Sequence, residues 1–474
     1  MVGWGVAFWR SPLSELEPAL KALARGEYEV AFALLESAAQ RPRRGEVQAI
    51  YRLHLAALYA LYGQDGLENG ALELRAAARA DPTVVQQSLY QALYWEFAAY
   101  RGDPVAEVKR GLKGVSALED SVAGYHAACA LLAVGAPKSA ARMLEKVDAA
   151  TLPTHLDWRR WSRLGQAHQK LGAFDRAVMA YRSAVAQSAG VEREAERLNL
   201  ASCQLELGDA EGALATLAEV DDRLLSENED CAIKRYLLGR VHVDQGNPNL
   251  ALEHLRAGHL VEGVSDMTAF SLAYVTGQAL TALSRYDEAV EVFGRAIELS
   301  DGENRTVALH EQAFALIETE RFEEARDILE EVLSDPGYAH RADGFVDLAD
   351  VLFKLGEFEQ AEKVAMRALD LEAVAAACLC LGNIAFEYFR LEEAAAWYEK
   401  AASAGPKGSP DWVAAQQMLA DVFAQFGPSA AERLLRHAEA AIEHTDPSSD
   451  WHLTLTRYIE MARARLGGGS RLLN

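Results

Sequence analysis

The densest patch of potentially reactive side chains is the run Trp158-Arg159-Arg160-Trp161, followed by Arg163 and Lys170 and, some thirty residues later, by Arg193 and Arg197. Guanidinium groups grip carboxylates and phosphates through paired N–H donors. The island therefore predicts a docking place for an anionic peptide or a terminal carboxylate. Its competing reading is an ordinary solvated helix face with both tryptophans turned inward. The other chemistry-bearing residues are sparse. Cys129, Cys203, Cys231, Cys378 and Cys380 are an odd set without the spacing of a disulfide framework, and they read as reduced core residues. Cys378 and Cys380, two apart on a helix, point about 200° from each other and cannot share a tetrahedral metal. His310-Glu311 opens the zinc-protease pattern H-E-x-x-H, but Phe314 stands where the second histidine belongs. A nucleophile elbow, a phosphate-binding glycine loop and a Cys-x-x-Cys pair are all missing, so the chain is expected to be no enzyme and to carry no cofactor and no metal.

Net charge is −23, distributed unevenly: residues 1–200 come to +2 and residues 201–474 to −25. Binding nucleic acid requires a basic face that releases counterions from phosphate, and this balance excludes it as a general activity. The acid either keeps an Ala-rich protein soluble or meets a basic partner. No run of about 18 apolar residues occurs, and Met1–Arg10 lacks a basic leader and a cleavage site, so no membrane association and a cytoplasmic location are expected. Arg outnumbers Lys 36 to 11, as GC-rich bacterial genomes favour.

The elements that must position these residues follow from an internal period. An aromatic or Leu, an acid, a variable residue and Ala recur at Tyr28, Phe174, Tyr286, Phe322, Phe358 and Leu391. With weaker copies, the marker falls at Ala31, Ala71, Ala106, Ala140, Ala177, Ala213, Ala251, Ala289, Ala325, Ala361, Ala394 and Ala431, 33 to 40 residues apart. A period of that size signals stacked helical hairpins. In Asp157–Gly190 the first helix carries Trp161, Leu164, Gly165, His168 and Leu171 on one face, and Gly172 ends it. A second helix opens at Phe174-Asp175 and buries Ala177, Tyr181 and Ala184. Small residues at 165 and 177 suit the closest approach of the two helix axes. Gly63–Gly70 reads as a loosened turn, Trp451–Leu466 as a capping helix and Gly467–Ser470 as a flexible stretch. Trp4, Phe8 and Trp9 are expected to cap the first hairpin.

These residues resemble the tetratricopeptide repeat over roughly residues 12–447, most strongly from Trp158 to Ala401. The resemblance implies an all-α fold, a right-handed α-solenoid superhelix of about twelve hairpins with a C-terminal capping helix. It divides the chain into degenerate repeats (1–153), regular repeats (154–447) and a cap with tail (448–474). It also implies a non-catalytic scaffold that binds a protein or peptide on a concave surface lined by the first helix of each hairpin; the alternative is a ligand- or peptide-sensing regulator that changes curvature on binding. On that alignment the contact candidates in the earlier repeats are Arg159, Ser162, Arg163, Gln166, Lys170, Asn199, Ser202 and Arg240. In the later repeats they are Tyr274, Gln278, His310, Asp350 and Asn383. Of the five positions of the family's two-carboxylate clamp only Asn199 matches; Ser162, Gln166, Ile233 and Leu237 occupy the others, which argues against a chaperone-tail receptor.

Overall fold

The computed structural model describes residues 16–41, 45–63, 65–225 and 228–469; Trp4, Phe8, Trp9 and Ser470 lie outside them. Among the described residues there are 25 α-helices, three short 3-10 segments and no strand. The chain divides into two compact units.

Unit one holds Met1–Gln245 and Val261–Gly263. Its helices are α1 (Leu16–Ala24), α2 (Tyr28–Gln40), α3 (Gly45–Ala60), α4 (Leu67–Ala80), α5 (Ser88–Tyr100), α6 (Val105–Gly111), α7 (Ser121–Ala133), α8 (Pro137–Leu144), α9 (Thr154–Gln169), α10 (Phe174–Gln187), α11 (Gly190–Glu206), α12 (Ala210–Ala218) and α13 (Asn228–Asp244). Unit two holds Gly246–Leu260 and Val264–Asn474. It contains α14 (Pro248–His259), α15 (Asp266–Ala282), α16 (Tyr286–Glu298), α17 (Gly302–Glu318), α18 (Phe322–Ser334), α19 (Arg341–Lys354), α20 (Phe358–Asp370), α21 (Val374–Glu387), α22 (Leu391–Ala404), α23 (Pro410–Gln425), α24 (Ala431–Ile442) and α25 (Asp450–Gly469). Odd-numbered helices are first helices and even-numbered ones second helices; within each unit consecutive helices pack as antiparallel neighbours, the arrangement of an α-solenoid.

Turn chemistry sets the hairpins. The first helix α9 ends where Gly172 takes φ +68°, a left-handed conformation free of a Cβ clash only in glycine. Ser284, Glu320 and Phe389 adopt the same conformation after α15, α17 and α21 at φ 57–58°, each at a cost of roughly 1 kcal/mol. The marker alanine then falls in the first turn of the second helix: Ala177, Ala213, Ala289, Ala325, Ala361 and Ala394 are all fully buried. In two early repeats the register differs from the sequence expectation. Ala71 is half-buried and Ala106 exposed; the inward positions belong to Gly70 and Val108. The expected loose turn over 63–70 is shorter too, because α4 already starts at Leu67.

Packing explains the glycines of the first helices better than close helix axes alone. A Cβ on Gly165 would lie 2.8 Å from the Tyr181 ring, one on Gly277 2.5 Å from Phe293, and one on Gly382 2.4 Å from Tyr398. Each ring lies sixteen residues on, in the second helix. At Leu144, Leu217, Leu329 and Ala365 the first-helix position is Ala128, Ala201, Ala313 or Ala349, all buried, whereas Leu255 is matched by a glycine, Gly239. Leu171, expected on the apolar face of α9, is instead exposed beyond the end of the hairpin core.

In unit one the first hairpin does more than start the stack. Leu20 and Leu23 of α1, Leu35 of α2, Leu58 of α3, Val122 of α7 and Leu156 of α9 surround one narrow internal space. Tyr28 at the start of α2 reaches α9, 131 residues away, to accept a hydrogen bond from Arg159. At the other end of the chain, Leu455 and Ala462 of α25 are buried against the last hairpin, as expected of a cap. Arg465 fastens this helix by donating to the carbonyls of Ala424 and Gly427 at 3.1 and 3.3 Å. The helix continues through Gly469, so the glycines expected to be flexible are helical.

Candidate partner-binding faces

Most of the basic island is consumed inside the fold, which corrects the expectation of a free cationic face. Arg159 donates to Tyr28 Oη at 2.8 Å and to the His155 carbonyl at 3.0 Å, and its guanidinium lies 4.2 Å from the centre of the Trp158 ring. Arg160 is buried, stacked on Trp161 and paired with Asp157 at 3.3 Å. Arg193 donates twice to the Ser188 carbonyl, and Arg197 is held by Glu194 and Glu219. Arg163 and Lys170 remain. With Gln166 they form one wall of a pocket of about 140 Å³, completed by Tyr100 of α5 and by Cys129, Leu132 and Ala133 of α7. Burial pushes the Cys129 thiol up to about 12, which leaves it protonated and inert.

The next candidates in unit one meet carboxylates that the sequence did not single out. Ser162 donates to Glu196 Oε1 at 2.7 Å, and half-buried Asn199 lies on α11 three residues further on. Burial raises Glu196 above the usual carboxylate range although Ser162 and Asn199 favour its charged form. Arg240 of α13 reaches back to Glu206 of α11 at 2.6 Å. These bonds stitch neighbouring first helices together, while Glu196 Oε2 and Arg197 Nε stay buried without a hydrogen-bond partner. Ser202 is half-buried on α11 beside them.

In unit two, α15, α17 and α19 build a second pocket of about 290 Å³. Tyr274, Phe314 and Tyr338 supply aromatic walls, and Glu311, Asp343 and Asp347 supply carboxylates. His310, a sequence candidate, bridges two of these groups: Nε2 donates to Asp347 at 2.8 Å and Nδ1 meets the Tyr338 hydroxyl at 2.7 Å. The Tyr274 hydroxyl donates to Glu311 Oε1 at 3.1 Å, and Gln278 donates to that hydroxyl at 3.2 Å. Three of the sequence candidates thus cooperate at one place. The signals missed were Tyr338, Asp343 and Asp347; the first belongs to the connection before α19, where helical alignment has no register to offer. Asp350 lies away from the pocket, half-buried, with its carboxyl group raised by burial. Asn383 is taken up inside its own hairpin, accepting from Tyr398 at 2.8 Å.

No group of three or more His, Cys, Asp or Glu side chains among the described residues is arranged to hold a metal. The four buried cysteines are free thiols, and Cys378 and Cys380 face different core clusters, as their spacing requires. No helix among the described residues is long and apolar enough to cross a membrane.

Helical hairpins repeated along the chain, each closed by a left-handed turn and a buried small residue, define an α-solenoid. The tetratricopeptide-repeat family signatures match residues 159–189, 236–304 and 346–409. The chain carries tetratricopeptide repeats over these stretches. Among solved structures, the apo form of the quorum sensor NprR from B. thuringiensis is similar at 15% identity and TM-score 0.51, over 76% of this chain and 98% of that one. A tetratricopeptide repeat protein from Parabacteroides merdae (16% identity, TM-score 0.40) covers 55% of this chain and 98% of its own. PilF of Pseudomonas aeruginosa (19% identity, TM-score 0.38) covers 48% and 98%. No curated protein matches the sequence.

Proposed function

We propose that this protein is a non-catalytic scaffold that binds a protein or peptide segment on its first-helix faces, and that the α15–α17–α19 pocket receives a basic side chain of that partner. The observation that carries the reading is the composition of this pocket: three aromatic rings beside three carboxylates. A guanidinium or ammonium group is attracted by ring faces and by carboxylates together. Tyr274 and His310, fixed by hydrogen bonds to Glu311 and Asp347, present a preorganised wall.

Panning a random peptide library on the intact protein tests this. Enriched peptides should share an Arg or Lys whose replacement by Ala abolishes binding. Asp343→Asn, at the exposed rim, should weaken such a peptide about ten-fold, the value of one charge-assisted contact at ~1.5 kcal/mol. Enrichment of acidic or wholly apolar peptides, or an unchanged Kd in the variant, would overturn the assignment.

A further inference from the structure

The pocket between α5, α7 and α9 contains a cation with no carboxylate at ion-pair distance among the described residues. The Arg163 guanidinium is largely enclosed; it donates to Gln166 Oε1 at 3.1 Å and has the Tyr125 hydroxyl and the Cys129 thiol as its other polar neighbours. All three are uncharged. Among the described residues no carboxylate comes within 4.0 Å of it, although every other island arginine but Arg193 has one. Two buried acids lie in the surroundings: Glu96 is engaged, with His126 Nδ1 2.7 Å from its Oε2 and Tyr100 donating to its Oε1 at 3.4 Å, and Glu196 acts on Arg163 only beyond 4.0 Å while accepting from Ser162. A guanidinium does not shed its proton at any physiological pH, so burial cannot be relieved by neutralisation. An enclosed charge without a partner is destabilising unless something supplies the opposite charge.

We infer that Arg163, with Lys170 and Gln166, forms an oxyanion site that takes one carboxylate or phosphate group. The polar atoms fit that chemistry. A planar guanidinium, the exposed ammonium of Lys170 just beyond the end of α9 and the Gln166 carboxamide line one wall. The space of about 140 Å³ equals four to five waters at ~30 Å³ each, enough for such a group and too small for a folded domain. Leu132, which is buried, makes part of the remaining wall apolar. The inference stands whether or not the molecule's main partner is a protein, because it rests on the pocket that Arg163, Gln166 and Lys170 line and on the lack of a carboxylate within 4.0 Å of Arg163.

The test titrates the full-length protein with inorganic phosphate and, separately, with acetate, against sodium chloride at equal ionic strength. Binding is read by calorimetry and by the shift in melting temperature. A third arm compares a short peptide bearing a free C-terminal carboxylate with its amide, which separates a free small anion from a partner-borne group. Wild type should bind one oxyanion, with Lys170→Ala weakening it about five-fold and Arg163→Gln abolishing it. Arg163→Gln should also melt no lower than wild type in anion-free buffer, since it removes an unbalanced charge; an arginine with a purely structural role would lower it. If Arg163→Gln fails to fold, Lys170→Ala still decides between specific binding and none. Equal responses to phosphate, acetate and chloride, or full binding in either variant, would overturn the proposal.

Discussion

Arg159 and His155, four residues apart on α9, illustrate how a residue's chemistry is redirected by a contact that sequence does not reveal. From spacing alone Arg159 reads as a free cation on a binding face; Tyr28, 131 residues earlier, turns it into an internal fastener. Charge reversal at Arg159 would therefore report on folding before it reported on binding. The same closure buries His54 and His155 with His126 close by. Burial holds His54 down to about 4; burial, then Arg159, His126 and His54, hold His155 down to about 3. An unfolded histidine protonates near 6.5. Between that value and the depressed one, the unfolded chain binds protons that the folded chain refuses, so stability falls as pH drops through this window. The loss is on the order of 3 kcal/mol for His54 and 5 kcal/mol for His155. Urea unfolding of wild type should show a midpoint that declines steadily from pH 7 to pH 4.5. His155→Gln, which cannot titrate, should decline less steeply; parallel slopes would refute the assignment.

At the scale of helices, the relation between small first-helix residues and second-helix rings makes a sharp prediction. Gly277 sits under Phe293 with no room for a Cβ, whereas Ala313 pairs with Leu329. Gly277→Ala should destabilise unit two by about 2 kcal/mol through overpacking, even though alanine favours helix over glycine by ~1 kcal/mol. Adding Phe293→Leu should recover most of the loss, and a double-mutant cycle measured in urea gives the coupling directly. The hairpins themselves were legible because their apolar positions, turn glycines and marker alanines are local and repeat. Registers at Gly70 and Val108 were not, since a six-residue connection between α3 and α4, against three in α15–α16 and four in α9–α10, and a seven-residue α6 break the period that alignment depends on. Pocket residues such as Tyr338 and Asp347 were also hidden. Which side chains of neighbouring repeats converge depends on helix rotation, and a 36-residue spacing does not encode that angle. The paired contacts of His310 and Tyr274 were found because both lie on first helices at the aligned positions.

Over the whole chain, charge is the property that sequence states most directly and that structure puts to use. Residues 201–474 carry net −25, which is the excess of carboxylates left after every base of the segment is counted, those in short-range pairs such as Arg285–Glu288, Arg305–Glu331 and Arg321–Glu324 included. These pairs are exposed and individually contribute little. Like charges beyond them repel within the folded unit, and the repulsion is screened over about 10 Å at 0.1 M salt. Raising sodium chloride from 0.02 to 0.3 M should therefore raise the urea midpoint of unit two. Attraction between the α15–α17–α19 pocket and a basic peptide is screened by the same ions, so its Kd should rise over the same range. The two effects have opposite signs for one physical cause. Hydrogen exchange on α17 and α19, read with and without a basic peptide at each salt, separates them. Peptide-free protection should grow with salt while the increment added by peptide shrinks. An increment that grows alongside it would mean that the pocket binds through apolar contact, and that its three carboxylates serve only to hold Tyr274 and His310 in place.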